Sequence, residues 1–436
     1  MRVSKPSPRP QSPNRKETAR ELEIFCACSP GLEPILAAEI ESLGLVGTAQ
    51  PGGVALRGGA RELLLANLWL RCASRVLVRL GSFDAKTFPQ LIAKARELPF
   101  ASVLGAAQSV ALKATCRKSR LYHSGAVIER VHAALESRLG RKVALVAGAS
   151  DDDETEASPS TASANANAST NTSTNTNTNT NTNTSTTANP AALAPQLLLI
   201  RFERDRCTIS ADASGALLHR RGYRTQLSRA PLRETLAAAL LLAAGYRGGP
   251  LVDPCCGGGT IPIEAALIAQ HRAPGLARGF ACEQWSREHA QLAERLRQEA
   301  RASETPLVPG LLAGSDVDPR ALAAAEANAR AAGFADRITF SCQPLERLRA
   351  ADLKPGTLLA ANPSYGKRAG APGPELVALW SSLGALARAH QGPAALLCPS
   401  NELARAAGPE FRALVRTQNG GLPVSLLVSP GTAIAG

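Results

Sequence analysis

Aromatic residues make up only 4% of this 436-residue chain, so Leu, Ala and Val must fill its interior; the apolar share of 44% is ample for a buried core. The ten cysteines include no C-x-x-C pair. Cys26 and Cys28 are two apart, and Cys255 and Cys256 are adjacent, which suits neither a zinc knuckle nor an ordinary disulfide. Reduced, buried thiols of a cytosolic protein fit that pattern better. The six histidines show no ligand spacing, and no metal is expected. The longest strongly apolar run, Leu236–Gly245, is too short to cross a bilayer. Residues 1–20 lack the apolar centre of a signal peptide. A cytoplasmic protein with no membrane association is the expectation.

What is present in excess is positive charge. The net charge of +13 points to a polyanionic partner, nucleic acid before membrane. Part of that charge lies in residues 1–21, a Pro- and Ser-rich basic stretch expected to be disordered. The length suggests two or three domains.

Along the chain, Glu23–Ala27 reads as a strand, Pro30–Leu43 as a helix, Val54–Arg57 as a strand, Ala60–Leu70 as a helix and Val76–Phe83 as a strand. A helix at Phe88–Glu97 and a strand at Ser109–Thr115 follow, leading into a basic turn and the helix Ser124–Leu139. That turn gathers Lys113, Arg117, Lys118 and Arg120 beside Tyr122 and His123. Cations for phosphates and an aromatic for a base make a candidate RNA contact. Strands Val143–Val146 and Leu197–Phe202 flank residues 151–195, an acidic, then Ser/Ala, then Asn-Thr stretch. It lacks the apolar surface needed to offset ordering entropy and is expected to be a disordered insert. After a strand at Cys207–Ala211, His219–Arg224 forms a basic linker in which Arg220, Arg221 and Arg224 are further candidate RNA contacts. An apolar helix, Leu232–Ala244, comes next.

The chain is organised around Leu251-Val-Asp253-Pro-Cys-Cys-Gly257-Gly258-Gly259-Thr260-Ile-Pro262. A short strand ends on an acid and turns through glycines into a helix, with Pro262 in the first turn where its missing N–H costs nothing. A phosphate-binding P-loop needs a Lys after the last glycine, and none follows Gly259; a dinucleotide fingerprint needs a different glycine register. The remaining reading is D-P-x-C-G-x-G-T, the turn that holds S-adenosylmethionine in class I methyltransferases. The expected strand Leu311–Ser315 delivers Asp316, whose carboxylate can accept both ribose hydroxyls of such a cofactor. Asp318-Pro319 suits an N-cap and first-turn proline for the helix Arg320–Ala332. Strand Ile338–Cys342 is followed by Gln343-Pro344, where many class I methyltransferases place an acid for the adenine amine; the Gln343 carbonyl can accept from it instead. Strand Thr357–Ala361 delivers Asn362-Pro363-Ser364-Tyr365. Later strands are expected at Pro393–Pro399 and Pro423–Val428.

With Leu218-His-Arg-Arg-Gly-Tyr-Arg224 and Ala230-Pro-Leu-Arg-Glu234 upstream, this series resembles the THUMP-domain class I RNA methyltransferases. Among them it is most like the large-subunit ribosomal RNA guanine-N2 methyltransferases. The resemblance covers about Ile24–Gly148 and Gln196–Val428. It implies an α/β, Rossmann-like methyltransferase domain over 215–436, preceded by an α+β region: a ferredoxin-like segment over 22–86 and a THUMP domain over 87–214. It further implies S-adenosylmethionine as cofactor, held by Asp253, Gly257, Gly258, Gly259, Thr260, Asp316 and Gln343. Asn362, Pro363 and Tyr365 would handle the base: two acceptors for the amine protons, and a ring to stack on the extruded base. Ser364 departs from the family's Asn-Pro-Pro-Tyr, which frees the backbone and adds an N–H. RNA is the implied partner. The product implied is N2-methylguanosine in 23S ribosomal RNA, and some relatives carry a second methyltransferase module beyond this region. A transfer RNA methyltransferase of the same architecture and a noncatalytic RNA-binding factor are the rival readings.

Overall fold

The structure is a computed structural model and describes residues 21–105, 107, 109–147, 194–226, 231–365 and 372–429. Nearly all of the expected basic tail and of the expected Asn/Thr-rich insert lies outside the described residues, as do Ala230 and Gly366.

Two sheets form the frame. In the first, β1 (Leu22–Ala27), β2 (Gly47–Gln50), β3 (Gly53–Gly58), β4 (Arg75–Asp84), β5 (Ser109–Arg117), β6 (Ala144–Val146), β7 (Gln196–Glu203) and β8 (Arg206–Asp212) lie in the order β2-β3-β1-β4-β8-β7-β5-β6. Its helices are α1 (Glu33–Ser42), α2 (Ala60–Trp69), α3 (Phe88–Arg96), the single turn α4 (Ala101–Leu104) and α5 (Ser124–Leu139). In β1 the period of two buries Ile24 and Cys26, which join one core with Leu36 and Ile40 of α1 and Leu63 and Leu64 of α2. The expected ferredoxin-like and THUMP segments share this sheet, because β4 pairs antiparallel with β8 from Leu77↔Asp212 to Asp84↔Arg206.

The second half opens with α6 (Glu234–Ala243), then β9 (Leu251–Asp253), α7 (Thr260–Ala269), α8 (Arg287–Ala302), β10 (Leu312–Asp316), α9 (Pro319–Ala331) and β11 (Ile338–Cys342). It continues through β12 (Leu358–Ala361), α10 (Pro374–His390), β13 (Ala394–Cys398), α11 (Asn401–Ala407), β14 (Arg412–Asn419) and β15 (Leu422–Val428). The sheet order is β11-β10-β9-β12-β13-β15-β14. The first five of these strands run parallel, and the closing hairpin is antiparallel. The chain steps outward from β9 to β11 and then returns to the other side of β9 as β12. A doubly wound sheet binds ligands at such a reversal, outside the carboxyl ends of its strands. Here those ends are the glycine turn after β9 and Asn362 after β12. A second core packs the fully buried Trp380 and Leu383 of α10 beneath Leu359 and Leu396.

Charged side chains are buried where the two halves meet. Arg71, 7% exposed, donates to the carbonyls of Leu267 (3.3 Å) and Arg272 (2.8 Å) on the methyltransferase side. Arg221, 4% exposed, donates to the carbonyls of Leu218 and Arg71, both at 2.6 Å, and lies 3.6 Å from Glu264. The Tyr223 hydroxyl donates to the same Glu264 oxygen at 3.0 Å. Burial pushes the Glu264 carboxyl above its ordinary value, while Arg221 and Arg71 pull it down. Arg224 is held by Glu234 at 2.9 Å, by the Leu232 carbonyl at 2.7 Å and by the Thr260 hydroxyl at 3.1 Å. Arg221 is therefore corrected from an RNA contact to a buried residue, and Arg224 to a half-buried one whose guanidinium bonds Glu234, the Leu232 carbonyl and Thr260.

Removing one member of a buried ion pair strands the other, at a cost of about 3–5 kcal/mol. Arg221→Ala is accordingly expected to lower unfolding free energy by about that amount in urea titrations, while leaving the salt dependence of RNA affinity unchanged. Unaltered stability with a log-log salt slope reduced by about one unit would return Arg221 to the RNA surface.

Candidate active site

The site is built on the loops after β9, β10, β11 and β12. After β9 the chain turns with Gly257 at φ 50° and Gly259 at φ 80°, conformations that a Cβ disfavours. A Cβ on Gly259 would also stand 3.0 Å from the Ala325 side chain. The Cys256 N–H donates to the Ser315 carbonyl at 2.9 Å, tying the turn to β10. Asp316 then accepts twice: from Gly257 N–H at 2.9 Å through Oδ2, and from Asp318 N–H at 3.0 Å through Oδ1. Its own carbonyl accepts from the Gln343 N–H at 3.1 Å, which places Gln343 beside it. Asp318 caps α9, accepting from Arg320 N–H at 3.0 Å, with Pro319 opening the helix.

Asp253 and Thr260 are 1% and 5% exposed. Asp253 accepts from Cys255 N–H at 3.0 Å, and Thr260 accepts from Arg224 at 3.1 Å. Both were expected to touch the cofactor; enclosed as they are, they hold the turn from behind. Gly257, Asp316 and Gln343 are the half-exposed members of the expected set, whereas Gly258 and Gly259 are buried.

At the end of β12, Asn362 is half-buried, Pro363 buried and Ser364 exposed. The Tyr365 hydroxyl donates to Asn362 Oδ1 at 2.7 Å and lies 3.1 Å from Asn419 Nδ2. Burial pushes the phenol above its ordinary value, so it keeps its proton.

Comparison with known proteins fits this geometry. Residues 221–417 match the family model described as RMKL-like, methyltransferase domain, and residues 23–77 match the RlmL ferredoxin-like domain. Ribosomal RNA large subunit methyltransferase K/L of Syntrophotalea carbinolica is 34% identical over 422 residues. That match covers 93% of this chain and 53% of that protein, so the chain spans about half its length. The putative RNA methyltransferase YpsC of Bacillus subtilis is 31% identical over 352 residues, covering 80% of this chain and 81% of that protein. The chain belongs to the RlmL-like methyltransferases. The crystal structure of a predicted N6-adenine-specific DNA methylase from Listeria monocytogenes superposes with a TM-score of 0.75 at 27% identity, over 93% of this chain and 96% of that one.

Away from the methyltransferase turn, the expected RNA contacts fall in two places. Lys113, Lys118, Arg120, Tyr122 and His123 are exposed and Arg117 half-buried, all on β5 and the turn into α5. The Tyr122 and His123 rings lie 4.1 Å apart. Arg220 is exposed elsewhere, lining a cavity with Gln196, Ser214, Arg278 and Phe280 that does not reach the glycine turn. Among the described residues no group of three or more His, Cys, Asp or Glu could hold a metal ion, and no helix is long and apolar enough to cross a membrane.

Sequence reasoning missed Asn328 of this RlmL-like site. Buried on α9, it donates to the Gly258 carbonyl at 3.1 Å and the Gln226 carbonyl at 3.2 Å. Its Oδ1 accepts from the N–H groups of Thr225 at 2.9 Å and Gln226 at 3.0 Å. One side chain thus staples the glycine turn to the segment leading into α6. Glu346 was missed too: after burial, the charges of Asp253, Asp316 and Glu346 together hold up the Cys255 thiol. The turn therefore sits in a cluster of acids.

Burial pushes the Asp253 carboxyl from its ordinary 3.8 up to about 8; the Asp316 charge adds to this and the Cys255 N–H opposes it. The folded protein thus keeps a proton that the unfolded chain releases. The stability from this group is full below about pH 4 and is lost as pH rises through about 8. The isosteric Asp253→Asn should flatten the decline of Tm between about pH 5 and 8 relative to wild type. Parallel Tm profiles would show that Asp253 is ionised throughout.

Proposed function

We propose that this chain transfers a methyl group from S-adenosylmethionine to guanine N2 of RNA, with 23S ribosomal RNA as substrate. The observation that carries the reading is Asn362 at the carboxyl end of β12, next to β9 and its glycine turn in the sheet. The cofactor's chemistry fits the turn. The Asp316 and Glu346 carboxylates beside the turn suit a ligand bearing a sulfonium and an ammonium and repel phosphates, while the enclosed Asp253 keeps its proton. Asp316 has lone pairs left after its two backbone bonds, enough to accept ribose hydroxyls. Gln343, tied to Asp316 through the backbone, would accept from the adenine amine.

When bound, S-adenosylmethionine supplies the methyl group on its sulfonium. The protein's part is to aim a weak nucleophile. An exocyclic amine is flattened by conjugation with its ring. Accepting its N–H groups at Asn362 Oδ1 and the Pro363 carbonyl favours the pyramidal form and directs the lone pair. Tyr365 flanks the base. No covalent nucleophile is required, so the rate rests on orientation. The exposed cations at the end of β5, in the segment read as a THUMP domain, would supply phosphate contacts to a structured RNA. Such an enzyme works in the cytoplasm. The names of its relatives, a ribosomal RNA methyltransferase and a putative RNA methyltransferase, favour the same substrate class.

Ribosomal RNA from a strain lacking this protein is expected to lose one N2-methylguanosine in the large subunit, mapped by nuclease digestion and mass spectrometry. Complementation with Asn362→Ala should fail, and Ser364→Pro should work at least as well as wild type. A methyl missing from transfer RNA, or from adenine N6, would reassign the substrate. A full set of methyl groups would leave RNA binding alone.

A further inference from the structure

Tyr365 does something in this structure that a stacking ring does not require. Its hydroxyl is held at both ends, donating to Asn362 Oδ1 at 2.7 Å and lying 3.1 Å from Asn419 Nδ2. An amide nitrogen only donates, so the bond from Asn419 fills an acceptor position on the phenol oxygen and sends the phenol hydrogen to Asn362. That hydrogen in turn decides which way the Asn362 amide faces. An amide flipped end for end would meet the hydroxyl with an N–H and present a donor, not an acceptor, to an incoming amine.

Asn419 is held in place by the hairpin that closes the sheet. It ends β14, opposite Leu422, across a turn of Gly420 and Gly421 with φ 57° and 76°. Positive φ at both central positions gives a hairpin turn whose twist matches its strands. Its side chain is half-buried and carries no charge that could serve as acid or base.

We infer that Asn419 is a positioning residue for methyl transfer, acting through the Tyr365 hydroxyl to lock Asn362 with its oxygen toward the target amine. Oδ1 has two lone pairs, one for Tyr365 and one for the substrate N–H. The closing hairpin thereby contributes to a site otherwise built from the parallel strands. This role rests on the reaction proposed above.

The test compares Asn419→Ala, Asn419→Asp, Tyr365→Phe and the double variant Tyr365→Phe/Asn419→Ala in methyl transfer to the ribosomal RNA of a deletion strain. Asp matches Asn in shape but, ionised, accepts the phenol hydrogen and draws it away from Asn362. Asn419→Asp and Asn419→Ala should each lower kcat by about 10–100-fold, the scale of a misplaced reacting group, with KM for S-adenosylmethionine and Tm little changed. In the Tyr365→Phe background, Asn419→Ala should cost nothing further. Wild-type turnover in Asn419→Asp, or an undiminished Asn419→Ala loss in the Tyr365→Phe background, would overturn this role while leaving the reaction standing. A wild-type protein that methylates no RNA would overturn the reaction, and this role with it.

Discussion

The candidate site depends on the Asp316 carboxylate. One oxygen holds the Gly257 N–H of the turn after β9, and the other holds the Asp318 N–H that opens α9. The backbone of the same residue accepts from Gln343 after β11. Three strand ends are thus tied to one residue, each bond to an ionised acceptor being stronger than a neutral one. The turn takes positive φ at Gly257 and Gly259 because neither carries a Cβ, and these bonds, with Asn328 on the Gly258 carbonyl, fix its position. Behind it lies the enclosed Asp253, whose burial is the cost of ending an interior strand on an acid.

The second constraint is the seam between the halves. Arg71 and Arg221 cross it, and Glu264 of α7 receives both Arg221 and the Tyr223 hydroxyl. Since α7 begins at the glycine turn, the buried charges that join the halves also anchor the helix beneath the site. Arg224 extends the chain of contacts to Thr260, the first residue of α7. Cations that look like an RNA-binding linker in the sequence are instead the means by which the first sheet is held in register with the second. Of the cations expected to contact RNA, those exposed at the surface are Lys113, Lys118 and Arg120, on β5 and the turn into α5, and Arg220.

The local signals were legible and the distant ones were not. The helix Ser124–Leu139 and the strand Ile338–Cys342 were read to their observed ends, since burial period and flanking residues lie within the segments themselves. Asp318-Pro319 was readable as a cap for the same reason. The strands Gly47–Gln50 and Arg412–Asn419 went unread: both lie at sheet edges, the first largely exposed and the second partly buried, and no alternation of apolar residues marks them. The helix Arg287–Ala302 also went unread, although Ser286 caps it and Ala293, Leu296 and Ala300 face inward at helical spacing. Pairing of β4 with β8 leaves no local mark at all. At the site, glycines and acids announced themselves, but Asn328 and Asn419 are ordinary residues whose role exists only once remote segments meet. Arg221 was misread because burial, unlike charge, depends on a partner far along the chain, here Glu264 on α7.

The most direct measurement is a calorimetric titration of S-adenosylmethionine into wild type and Asp316→Ala, each confirmed folded by its melting curve. Wild type should bind in the micromolar range, and the variant should lose affinity by a few kcal/mol, the scale of lost charge-assisted hydrogen bonds. Equal affinity in two folded proteins would contradict a cofactor site organised by this carboxylate.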